Sequence, residues 1–147
     1  MLSPSLEDYL EEIYRFLNQR GYVRITDIAD KLDVSLPSVT KAVKKLNKKG
    51  YLNYKRYKNI KLTKKGDTLG NFLVTRNSLL KEFLQVIGSN CDKEKEAEAI
   101  EHYLSPETVE AITYLVEFFK EYPEYQKTFF KFKKNRSSPD NSEDNPK

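Results

Sequence analysis

Residues 34–66 read VSLPSVTKAVKKLNKKGYLNYKRYKNIKLTKKG, and this stretch decides the fold. It carries eleven Lys or Arg, and no Asp or Glu stands between Asp33 and Asp67. In its first half Leu36, Val39, Val43 and Leu46 recur at helical spacing while Lys41, Lys44, Lys45 and Lys48 point elsewhere, giving a helix with an apolar stripe and a basic face. Ser35 is placed to cap that helix, Pro37 sits in its first turn where a missing N–H is harmless, and Gly50 follows as a left-handed stop. The second half reads as two short strands, Leu52 to Tyr57 and Ile60 to Leu62, around the polar turn Lys58, Asn59. A helix followed at once by a basic hairpin describes a winged helix. A merely solvated lysine face is the competing explanation. The missing acids oppose it, because ordinary soluble surfaces intersperse both signs.

Beyond this stretch the charge balance reverses. Residues 1–66 hold 15 basic and 7 acidic side chains and residues 67–147 hold 11 and 15, so a net +8 is followed by a net −4. A basic half and an acidic half suggest two jobs. The 147 residues suffice for one domain or two small ones, and the single Cys91 excludes an internal disulfide framework and any multi-thiolate zinc site. The N-terminus lacks a basic segment leading into an apolar one, and no apolar run approaches the ~18 residues of a membrane span, so a soluble cytoplasmic protein is expected.

Leu6, Leu10, Ile13 and Leu17 place a first helix over residues 5–19, with Ser5 as its cap and Gly21 as its end. TDIADKL gives a short second helix capped by Thr26, so the basic helix becomes the second arm of a helix-turn-helix. Tyr22, Val23 and Ile25 fit a short edge strand beside the wing. After the wing a long amphipathic helix runs from about 63 to 87, followed by helices near Asp92 to Leu104 and Pro106 to about Tyr122. The expected domains are a winged-helix DNA-binding domain over 1–70 and a helical metal-binding and dimerisation domain over 71–123. The tail, 124–147, is expected to become disordered after periodicity fails at Lys131. Three helices are too thin to bury Leu79, Phe83, Ile112, Val116 and Phe119 alone. Either a second copy of the chain covers them, or they fold back on the first helix.

Two acidic clusters lie outside the basic stretch. Asp8 and Glu11 share a face of the first helix; such acids complement the helix dipole, and Glu11 can pair with Arg15 four residues on. Glu98, Glu101 and His102 put two carboxylates and the protein's one imidazole on a single helix side. Each cluster alone is compatible with plain solvation. Together they form a hard oxygen-and-nitrogen set, suited to one Mn(II) or Fe(II) ion, or to two bridged by shared carboxylates. A carboxylate-bridged metal enzyme is the rival from another class, but no nucleophile or general base accompanies the set, so an enzyme is not expected.

The segments PSLEDYLEEIY, YVRITDIADKLDVSLPSVTKAVKKL, YLNYKRYKNIKLTKKG and AIEHYLS make the chain resemble the manganese transport regulators, short two-domain members of the diphtheria toxin repressor family. The resemblance runs from about Ser3 to Phe119. It implies a mainly α fold with a small β-hairpin wing, and a homodimeric repressor that binds a palindromic double-stranded operator when loaded with Mn(II), one or two ions per subunit, or with Fe(II). It implies metal ligands at Asp8, Glu11, Glu98, Glu101 and His102. At the sixth ligand position, where the family carries histidine, this chain has Asn77, whose neutral carbonyl oxygen is a poorer donor than imidazole. A winged-helix regulator with weakened or lost metal sensing is therefore the second alternative.

For DNA, the start of the basic helix offers Leu36, Pro37, Ser38, Thr40 and Lys41 to base edges or phosphate. Lys44, Lys45 and Lys48 and the wing residues Lys55, Arg56, Lys58 and Lys61 suit phosphate, as does Thr26 at the start of the second helix.

Overall fold

The computed structural model describes residues 2–137. Two compact units make up the chain, one ending at Asn77 and the other beginning at Ser78, with the division inside the long helix.

In the first unit, helix α1 (Pro4–Arg20) starts one turn earlier than its apolar pattern suggests, because Ser3, not Ser5, accepts the Leu6 N–H and Pro4 opens the helix. Gly21 closes it in the left-handed region at φ 79°. Helix α2 (Ile25–Leu32) likewise begins ahead of Thr26. The Arg24 N–H donates to Asp27 Oδ2 at 2.8 Å, and Arg20 also pairs with Asp27, so Arg24 takes the cap position. Ile25 is thereby helical and Val23 packs into the core, and the expected edge strand does not form. Helix α3 (Leu36–Lys48) is capped by Ser35, whose hydroxyl accepts from Ser38 N–H, as expected.

Strands β1 (Leu52–Asn53) and β2 (Lys61–Leu62) pair antiparallel, Leu52 opposite Leu62 and Asn53 opposite Lys61. Both are shorter than the sequence suggests. Tyr57 turns at φ 65° and the chain from Tyr54 to Asn59 forms an irregular basic tip instead of ladder.

The core of this unit joins Leu10 and Ile13 of α1, Ile28 of α2, Val39, Val43 and Leu46 of α3, and Leu52 of the wing, each at most 1% exposed. Each such aliphatic side chain contributes about 1.5–3 kcal/mol on burial. Every one comes from the apolar stripe of its element, so the basic face of α3 is left outward by elimination.

Helix α4 (Lys64–Val86) is seated on this unit at its beginning. Thr63 Oγ1 donates to the Gly50 carbonyl at 2.6 Å and its N–H donates to the Tyr51 carbonyl. The seat is so close that a Cβ on Gly66 would lie 1.9 Å from the Tyr51 carbonyl oxygen.

In the second unit, the end of α4 packs with α5 (Lys93–Glu101) and α6 (Pro106–Glu121) through two small apolar clusters, Leu79, Val109 and Val116 in one and Leu80, Leu84 and Ala97 in the other. Ser105 caps α6 by accepting the Thr108 N–H, with Pro106 first, as expected. Helix α7 (Pro123–Ser137) stands where the sequence places the beginning of a tail. No residue of it is buried, which explains why its periodicity is weak, and polar contacts hold it: Lys133 Nζ donates to the Ile87 and Gly88 carbonyls at 2.7 and 3.0 Å. The remainder of the expected tail, 138–147, lies outside the described residues. Among the described residues no helix is long and apolar enough to cross a membrane.

Replacing glycine by alanine inside a helix ordinarily gains about 0.5–1 kcal/mol. At Gly66 the clash is with backbone, which cannot swing aside, so Gly66→Ala is expected to lose about 1–3 kcal/mol instead. Urea unfolding of the two proteins checks the sign.

Candidate metal centre and nucleic-acid interface

The basic surface belongs wholly to the first unit. Because Val39, Ala42, Val43 and Leu46 face inward, Lys41, Lys44, Lys45 and Lys48 are exposed along α3. Leu36, Pro37 and Ser38 are exposed at its start, Thr40 is half-buried, and Thr26 is exposed on α2. On the wing Lys55, Arg56, Lys58 and Lys61 are all exposed.

The structure gathers these residues into two grooves flanking the wing. One, of about 600 Å³, has Thr40 and Lys44 of α3 facing Arg56 and Lys58 of the wing, with Arg24 and Tyr57 beside them. The other, of about 790 Å³, includes Asn47, Asn53, Lys55 and Lys61. Arg24, Asn47, Asn53 and Tyr57 join the basic surface without having been singled out from the sequence. Arg24 lies far from the basic run in the chain, and only the folded position of the α2 start brings it there. Tyr57 is 90% exposed at the wing tip, with the Arg56 guanidinium 5.0 Å from its ring centre. A ring held in water beside a guanidinium offers a flat apolar surface to a groove wall.

In the same unit α1 and α4 bring three of the expected metal ligands into view. Asp8 is half-buried, while Glu11 and Asn77 are buried at 6% and 7% exposure. Arg15 spans two of them: its Nη2 donates to Glu11 Oε1 at 2.8 Å and to Asn77 Oδ1 at 3.5 Å. Sequence alone gives the first contact, at helical spacing; the second joins residues 62 positions apart. Burial lifts the Glu11 carboxyl above its ordinary value of 4.5, and the neighbouring Asp8 charge adds to this, while Arg15 and Arg76 oppose it. One turn earlier Glu7 is also buried and is paired with buried Arg76 at 3.2 Å, a structural ion pair that the sequence does not reveal.

In the second unit the metal-type donors cluster at the end of α5. Ala97 and Ile100 turn toward the apolar cluster of α4. Glu101 is buried at 1% exposure, and His102 Nε2 lies 3.6 Å from Glu101 Oε1. Glu98, one turn before Glu101, is exposed. Cys91 packs among Leu80, Leu84 and Ala97 and takes no part in this donor set.

These residues fit a hard divalent ion. The donors are carboxylate oxygens, one amide oxygen and one imidazole, with no thiolate among them. Glu11 and Glu101 are withdrawn from water, a state in which a carboxylate needs a cation or a proton.

Comparison with known proteins joins the two units to one family. Residues 1–60 match the model described as iron dependent repressor, N-terminal DNA binding domain, and residues 63–129 match iron dependent repressor, metal binding and dimerisation domain. The chain is 42% identical over 142 residues to the HTH-type transcriptional regulator MntR of Bacillus velezensis, covering 95% of this chain and 99% of that protein. It is 46% identical over 124 residues to MntR of Bacillus subtilis, covering 82% and 86%. Among solved structures, that of the manganese regulator SloR superposes with a TM-score of 0.69 at 31% identity over 80% of this chain. The chain spans about half of that protein, 55% of its length. With a basic winged helix in one unit, buried hard donors in both, and family matches along nearly the whole described length, the chain belongs to the iron dependent repressor family of metal-responsive, DNA-binding transcriptional regulators.

Proposed function

We propose that this regulator responds to Mn(II), with Fe(II) as the alternative effector, and that it represses manganese uptake genes from the cytoplasm when loaded. The observation that carries the metal reading is the burial of Glu11 and Glu101, at 6% and 1% exposure, each beside further hard donors. The choice of manganese is supported by the names of the relatives, MntR and the manganese regulator SloR. The ligands are Asp8, Glu11, Asn77, Glu98, Glu101 and His102, holding one or two ions per subunit. When bound, a divalent ion supplies the positive charge that these oxygens require.

The DNA partner is a palindromic operator, met by a homodimer that presents two α3 helices. Leu36, Pro37, Ser38, Thr40 and Lys41 meet base edges; Thr26, Lys44, Lys45, Lys48, Lys55, Arg56, Lys58 and Lys61 meet phosphate. Control requires only that the ion bind the DNA-competent arrangement better, by the same factor by which operator tightens the ion.

Operator affinity measured in chelator-treated buffer is expected to rise on adding Mn(II); equal affinity in both conditions removes metal control while leaving DNA binding intact. Glu101→Gln is expected to weaken Mn(II) binding by about 100-fold, at or beyond what loss of an outer-shell partner costs, as read by calorimetry. Fluorescence anisotropy against salt checks the DNA face: Lys58→Ala is expected to flatten the slope of log K against log salt by about 0.9 for each phosphate contact removed.

The pH response follows from Glu11. Its folded carboxyl holds a proton more tightly than the unfolded one, so the metal-free protein loses stability as pH rises from 4.5 through the raised value. Mn(II) must displace that proton, so its affinity rises across the same window. Glu11→Gln is expected to flatten the first trend, seen as a metal-free melting temperature that changes less with pH, and to weaken Mn(II) binding.

A further inference from the structure

We propose that Arg15 is a built-in cation that occupies one of two possible ion positions in the donor set, so that this chain binds a single divalent ion per subunit. The inference rests on the metal reading above and deepens it. Within the first unit the Arg15 guanidinium donates to Glu11 Oε1 at 2.8 Å and reaches Asn77 Oδ1 at 3.5 Å. It also lies 3.9 Å from Glu12 Oε1. An ordinary pair at helical spacing explains the contact with Glu11 or Glu12, but not the reach to α4.

The chemistry of the partners is matched. Asn77 Oδ1 is a neutral acceptor that takes an N–H as readily as it takes a cation, and a guanidinium presents several donors in a fixed fork. Glu11 is buried at 6% exposure, and the guanidinium gives it the counter-charge that desolvation demands. A divalent ion on these same two oxygens would lie within a few ångströms of a positive charge. Arg15 cannot relieve that repulsion by losing a proton, because guanidinium stays charged at any working pH. Its side chain is 32% exposed, so it is anchored by these acceptors, not by packing. The remaining carboxylates and imidazole are left to one ion.

Mn(II) stoichiometry by equilibrium dialysis with elemental analysis tests this on the full chain. Wild type is expected to bind one ion per subunit. Arg15→Lys, which keeps the charge, and Asn77→His, which strengthens the donor but leaves the guanidinium, are both expected to stay at one. Arg15→Leu combined with Asn77→His is expected to bind two. A wild type that binds two ions, or a double variant that stays at one, overturns the role of Arg15 while leaving metal binding in place. No Mn(II) on any variant at millimolar concentration overturns the metal reading itself, and this inference with it. A metal-free measurement stands beside these: Arg15→Leu is expected to lower the melting temperature in chelator, because Glu11 loses its counter-charge, whereas Arg15→Lys retains most of it. An unchanged or raised melting temperature for Arg15→Leu overturns the role as counter-cation.

Discussion

A carboxylate taken out of water has to be given a partner, and that requirement shapes both units of this protein. Glu7, Glu11 and Glu101 are all buried, in a chain whose apolar clusters are modest. Removing a carboxylate from water costs several kcal/mol unless a cation, a proton or a set of donors compensates. Glu7 is compensated by Arg76, equally buried, at 3.2 Å. Glu11 shares Arg15 with Asn77 and holds its proton more tightly than an exposed carboxyl would. Glu101 lies against the one imidazole of the chain. The three solutions differ in kind. An arginine partner is permanent, whereas a proton or an imidazole can be exchanged for a metal ion, so Glu7 reads as structure while Glu11 and Glu101 read as sensing groups.

The same electrostatic economy explains the segregation of charge along the chain. Eleven basic residues without an acid between Asp33 and Asp67 repel one another, and they are tolerated because the apolar stripe of α3 and Leu52 of the wing anchor the backbone beneath them. Leu46 and Leu52, at most 1% exposed, fix the end of α3 and the root of the wing in one core, so the two basic surfaces keep a fixed spacing. The seat of α4 continues that rigid path, through Thr63 on the Gly50 and Tyr51 carbonyls and Gly66 against Tyr51. Asn77 is carried on the same helix. Wing and donor therefore share one backbone element, with no flexible joint between Lys64 and Asn77.

Much of this was legible in the sequence, for physical reasons that also mark where legibility ends. Helices α1, α3, α4 and α6 were readable because each buries one stripe, and the caps at Ser35 and Ser105 because Pro follows within two positions. Helix starts were misplaced where two capping residues compete: Ser3 wins over Ser5 and Arg24 over Thr26, since side-chain bonds from Asp27 decide the second. The wing was read too long because Tyr54 to Tyr57 have strand-like composition, yet Tyr57 turns at positive φ and the ladder ends at Asn53. Helix α7 was missed because it buries no residue and so leaves no stripe to read. In the donor set the residue types were visible at helical spacing within α1 and α5. Arg15 on Asn77 and Arg76 on Glu7 were not, because such pairs depend on the approach of two helices distant in sequence.

Helix α7 shows what the second unit lacks. Its attachment is polar: Lys133 places an ammonium on the carbonyls at the end of α4, where the helix dipole is negative, and Gln126 Nε2 donates to the Val86 carbonyl at 3.3 Å. These bonds fix α7 against the last turn of α4 without closing a core over α6. Phe118, Tyr122 and Tyr125 remain 41%, 45% and 53% exposed, with ring centres 5.3–6.0 Å apart. Three rings in contact with one another and with water form a preassembled apolar surface whose side chains have already lost part of their rotamer freedom. Covering such a surface costs less entropy than covering loose side chains, and it removes apolar area that the unit cannot bury by itself. The thinness of this unit and the exposure of its aromatic row thus have one cause, a fold that is complete only when another surface lies against α6 and α7.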